Sequence, residues 1–62
     1  MDKRIGELVD LAHRNEDVEL MNRIVCDANG ATSVGHLFDV DREAFDELYD
    51  AATSLVAQLP EV

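Results

Sequence analysis

Apolar residues recur at intervals of three and four along most of the chain, most regularly between Asp41 and Pro60. There Phe45, Leu48, Tyr49, Ala52, Leu55, Val56 and Leu59 fall on one stripe of an α-helix. The spacing predicts a helix over about 41–59. Asp41 supplies a carboxylate to accept from the free N–H groups of the first turn. Val40 and Phe45 hold the positions of a hydrophobic staple, and Pro60 cannot continue the helix. The opposite face carries Glu43, Asp46, Glu47 and Asp50, with Arg42 as the nearby cation.

A first helix over about 2–14 follows from the stripe Ile5, Leu8, Val9 and Ala12, with Asp2 as its N-cap. Lys3, Arg4, Glu7 and Asp10 lie largely off that stripe. Glu7 and Asp10 can pair with Arg4 or Arg14 at helical spacing, each pair contributing about 0.3 kcal/mol. A second stripe, Val18, Met21, Ile24, Val25 and Ala28, widened by Leu20, predicts a helix over about 16–29. Carried forward at about 100° per residue, the first stripe reaches Glu16, Arg23 and Asp27, roughly opposite the second. One continuous helix would have to bury two opposed faces, so a break near Asn15-Glu16-Asp17 is the simpler reading, with Asn15 as cap. The alternative, a single helix from Asp2 to Ala28, implies a dimer. Asn29-Gly30 closes the second helix, one of the pair being left-handed.

Ala31 to Asp39 reads in two ways. Thr32 or Ser33 caps a short helical turn over about 33–38, tucking Leu37 and Phe38 under the last helix, or the two glycines mark an irregular connection. No strand pattern is longer than a few residues, and Glu61-Val62 reads as a frayed tail. The expectation is an all-α fold, a small bundle of three main helices in a single small domain over 1–62.

A chain of 62 residues, 47% hydrophobic, can bury a core, but lies near the lower limit for folding without a metal, disulfide or partner. Leu20, Met21, Ile24 and Val25 give the second helix more apolar surface than two neighbours easily cover. A homodimer with the second or third helix at its interface is therefore expected. No apolar run approaches the roughly 20 residues that span a bilayer, and no signal peptide is visible. With Cys26 the single cysteine, these features favour the reducing cytoplasm of a cell or of an infected host cell.

The net charge of −9 changes the list of partners. Direct nucleic-acid binding needs Lys and Arg to replace counterions, and an anionic membrane would repel this chain. A larger protein with a basic surface is the partner such acidity attracts, solubility being the plain alternative.

Candidate chemistry narrows the choice further. Asp39-Val40-Asp41-Arg42-Glu43 has oxygen ligands at alternate positions, as at the start of a calcium loop. Ala44 stands where glycine is needed, Asp50 where the last ligand should be Glu, and helix capping claims the same residues. His13 suits a helix C-terminus, and neither it nor His36 has zinc spacing. His36 is instead a candidate surface contact. Cys26, among Ile24, Val25 and Ala28, reads as a small hydrophobe with only Arg23 to activate it. No nucleophile triad, phosphate loop or paired-carboxylate cleft can be made out, so no enzyme and no cofactor is expected. A helix-turn-helix would have Val34-Gly35-His36-Leu37-Phe38 as its recognition segment, without Lys, Arg, Asn or Gln to read bases.

Glu43 with Glu47 and Asp46 with Asp50 are like-charge pairs at i, i+4, which an isolated helix disfavours. A helix that tolerates them suits a cationic surface. The expected partner-binding set is Asp39, Asp41, Glu43, Asp46, Glu47, Asp50 and His36. The function expected is a small acidic protein-protein interaction module that regulates or inhibits a larger partner. The alternatives are a nucleic-acid mimic in a basic groove, as in viral anti-defence inhibitors, and a helix-turn-helix-like DNA-binding regulator.

Overall fold

The computed structural model describes residues 2–58, which form four helices and no strand. They are α1 (Lys3–Arg14), α2 (Glu16–Ala28), α3 (Val34–Val40) and α4 (Arg42–Gln58). The all-α class holds, with one correction: in place of a short turn near 33–38 there is a seven-residue helix, Val34–Val40. Leu59 and Pro60, and with them the predicted stop and the tail, lie outside the described residues.

Single residues make the junctions. Asn15 closes α1 in an extended conformation, and its side chain accepts from the N–H groups of Asp17 and Val18. The break is therefore real, and the continuous helix is excluded. Asp41 does the same between α3 and α4. Its N–H donates to Leu37 O at 2.8 Å, while its Oδ1 accepts from Ala44 N at 3.1 Å. Asp2 caps α1 through a 2.8 Å bond from Arg4 N, and Ser33, not Thr32, caps α3 by accepting from His36 N. The end of α2 is a Schellman motif. Ala31 N donates to Cys26 O at 2.8 Å and Gly30 N to Asp27 O at 3.3 Å, with Gly30 at φ +69°.

All four helices touch one another around a core of Leu8, Val18, Leu37, Phe45, Leu48 and Ala52. Each of the larger aliphatic and aromatic members contributes about 1.5–3 kcal/mol by leaving water. Phe45 meets Phe38 edge-to-face at 5.0 Å between ring centroids. Val40 is exposed, so the predicted staple partner stays in solvent and Phe38 is what packs on Phe45.

The face that α2 buries differs from the predicted stripe. Val18, Asn22 and Cys26, at i, i+4 and i+8, point inward; Met21 and Val25 flank them, while Leu20 and Ile24 remain 54% and 58% exposed. Asn22 is 8% exposed, and no described group donates to its Oδ1. An apolar residue there, Asn22→Leu, removes a desolvated acceptor and should raise unfolding stability by about 1–2 kcal/mol in urea denaturation. The glycines give an opposed pair. Gly30→Ala should cost about 1 kcal/mol, because a Cβ is strained at positive φ. Gly6→Ala, on a helix with nothing within 4 Å of the new Cβ, should gain a similar amount.

Candidate functional site

The predicted set divides among three sides of the molecule. Asp46 faces α1: Arg4 Nη1 donates to its Oδ1 at 2.7 Å, while Nη2 reaches Asp2 Oδ2 at 3.1 Å. The guanidinium of Arg4 also lies 5.3–6.0 Å from the ring centroids of Phe38, Phe45 and Tyr49. Arg4 thus clamps the start of α1 to α4, which the sequence reading placed in local pairs along α1. Of those local pairs only Asp10 with Arg14 forms, at 3.3 Å, whereas Glu7 accepts from the Tyr49 hydroxyl. That bond to Glu7, with burial adding, pushes the Tyr49 phenol above its ordinary range. Asp39, on α3, lines a shallow recess with Asp2, Ile5, Gly35 and Phe38 on the same side of the molecule. His36 is a local structural group. Its Nδ1 accepts from Thr32 N at 3.1 Å, which requires the tautomer protonated on Nε2.

The remaining carboxylates belong elsewhere. Asp41, Glu43 and Glu47 line a groove of about 500 Å³ between α2 and α4, floored by Met21, Ile24, Val25, Ala44, Leu48 and Ala51. A second hollow of about 350 Å³ shares Met21, Ile24 and Val25 with it and continues to Leu20, Leu55 and Asp17. The lining sets the helices antiparallel, the end of α2 lying beside the start of α4. Along α2 the combined groove runs from Asp17 to Asn29, about 18 Å at helical rise. Asp50 stands exposed on the solvent side of α4, between Glu47 and the Arg4 clamp.

The distribution of cations sharpens this geometry. Arg4 is held by Asp2 and Asp46, Arg14 by Asp10, and Arg23 by Glu19 at 3.0 Å. Arg42 turns away to lie 3.6 Å over the Phe38 ring. Among the described residues, no Lys, Arg or His nitrogen comes within 4.0 Å of a carboxylate of Asp41, Glu43, Glu47, Asp50 or Asp17. No Lys or Arg lines either part of the groove. An apolar floor with one sign of charge on its rim can receive a segment that is apolar on one side and cationic on its flanks.

Other chemistry finds little support. Burial, with the Asp27 carboxylate adding, pushes the Cys26 thiol up, which keeps it protonated and a poor nucleophile at neutral pH. Among the described residues no three His, Cys, Asp or Glu side chains converge, and no helix is long and apolar enough to cross a membrane. No protein family, curated protein or solved structure matches the chain.

Two features go beyond the sequence expectations: the closing of α2's surplus apolar side into a groove against Ala44, Leu48 and Ala51, and the Arg4 clamp. The excess of apolar residues on α2 was the signal for the first. Nothing local signals the second, since Arg4 and Asp46 are 42 positions apart.

The clamp carries a pH dependence. The side-chain hydrogen bond from Arg4, reinforced by its backbone N–H, holds Asp2 below the usual carboxylate range. The folded chain therefore binds fewer protons at Asp2 than the unfolded one. This contribution is complete above about pH 4 and is lost as pH falls through the lower folded value. Asp2→Asn keeps a capping side chain but not the charge. The melting-temperature gap between wild type and this variant should be widest near neutrality and close in acid.

Proposed function

We propose that this chain is a small acidic protein-protein interaction module that regulates or inhibits a larger partner with a basic surface. One observation carries the reading. Four of the five Lys and Arg side chains are committed elsewhere in the fold, while Asp41, Glu43 and Glu47 are left without a cation along an open apolar groove, and Asp50 without one on the adjoining solvent face. Of the carboxylates on α4, Asp46 is matched internally by Arg4, while Glu43 and Glu47 are not. Those on the α2 side of α4 are available to an outside partner, and the chain's net charge steers a basic partner toward them.

The nucleic-acid mimic is the second reading, and the same unpaired carboxylates favour it. The commitment of Asp46 to Arg4 shortens the row, however, and an apolar groove adds nothing to the imitation of phosphates. That comparison favours the protein-binding module. The DNA-binding regulator draws the least support, because the exposed positions of α3 are His36, Asp39 and Val40, with no Lys, Arg, Asn or Gln among them for bidentate base contacts.

Capture from native host lysate on immobilised wild type and on the triple variant Glu43→Lys, Glu47→Lys, Asp50→Lys tests the proposal. Asp46 is left untouched so that the Arg4 clamp survives. A basic protein should be retained by wild type, released as salt rises, and lost from the variant. Equal retention by both would reject the acidic face as the contact. Competitive displacement of the chain from its partner by duplex DNA or RNA would mark the mimic.

A further inference from the structure

From the groove between α2 and α4 we infer that its occupant is an amphipathic, basic α-helix of the partner, about three turns long. The inference rests on the protein-binding reading and specifies what is bound. Two antiparallel helices form the walls, and the exposed Leu20 and Ile24 stand one helical turn apart along one of them. Such a surface offers ridges and grooves to another helix. An extended segment would gain no ladder here, because among the described residues there is no strand edge to supply main-chain partners. The groove's length of about 18 Å corresponds to about twelve helical residues. Within them, apolar side chains at i, i+3 or i+4, and i+7 would meet the floor.

Charge settles the class of helix. Glu43 and Glu47 rim one end from α4, and Asp17 stands at the other end on α2. Lys or Arg flanking the apolar stripe would face all three. A second copy of this chain fits less well. Two chains of net charge −9 would meet across rims that carry carboxylates and no Lys or Arg. An acidic helix would face the same repulsion.

Two synthetic 14-residue peptides of identical Leu and Lys composition provide the test. One places Leu at i, i+3, i+4 and i+7; the other scrambles the order. The ordered peptide should bind at least about tenfold more tightly by fluorescence anisotropy, a difference that apolar side-chain burial supplies. Amide shifts in ¹⁵N spectra should concentrate at Met21, Ile24, Val25, Leu48 and Ala51. The solvent-facing substitutions Leu20→Ser and Ile24→Ser should each weaken it by about tenfold while circular dichroism stays unchanged. Equal binding of the two peptides, weakened together by the Glu43, Glu47, Asp50 reversal, would overturn the helix groove and leave the acidic-face reading standing. Shifts confined to another face would also overturn it. So would sedimentation giving a dimer whose interface includes Leu20 and Ile24. Failure of both peptides to bind, together with lysate capture unaffected by the charge reversal, would overturn both inferences.

Discussion

Asn15 imposes the constraint from which the rest of the molecule follows. The apolar stripes of the first 28 residues would lie on opposite sides of a continuous helix, which would need packing partners on both sides of one rod. Breaking the rod at one residue folds the second segment back onto the first. The side chain of Asn15 makes this inexpensive by accepting from the otherwise unpaired N–H groups of Asp17 and Val18. Asp41 repeats the device, ending α3 and starting α4 without a connecting loop. Two polar residues thereby convert nearly the whole chain into helix and leave little of it for covering surface.

That economy has a consequence on α2. Its inward face is filled by Val18, Asn22 and Cys26, and the neighbours reach only as far as Met21 and Val25. Leu20 and Ile24 stay exposed because, among the described residues, no further element lies over them. The placement of Asn22 on the inward face, with its acceptor unmatched, shows that the orientation of α2 is a compromise. Rotating the helix to bury Ile24 would carry Cys26 and Val18 outward and disturb the Schellman closure that seats Ala31. The apolar groove is thus the remainder of the packing solution.

Charge is apportioned in the same way. A chain with five cations and fourteen acids cannot match its carboxylates internally, so position decides which are neutralised. Arg4 serves Asp2 and Asp46 across the α1–α4 seam, where the aromatic faces of Phe38, Phe45 and Tyr49 also receive it. These pairs are partly exposed, and solvent screening leaves each of them little individual weight in stability. Their effect is orientation: Asp46 on one edge of α4 is paired and joined to α1, and the other edge is left without a cation beside α2. The asymmetry of the surface arises from where one arginine lies.

The sequence by itself determined the helical class, the three long helices to within about a residue at their described ends, the break at Asn15 and the capping roles of Asp2 and Asp41. These depend on neighbours a few positions apart, where periodicity and cap chemistry act. It also showed that α2 carries more apolar surface than it could hide. Tertiary structure alone decided which of those residues are hidden, because the inward side of a short helix is chosen by whatever packs on it. It likewise divided the seven predicted contact residues, giving Asp46 to Arg4 and His36 to Thr32, and leaving Asp41, Glu43 and Glu47 along the groove. Contacts between residues some forty positions apart leave no trace in local spacing, and they fixed which carboxylate of α4 is paired within the fold.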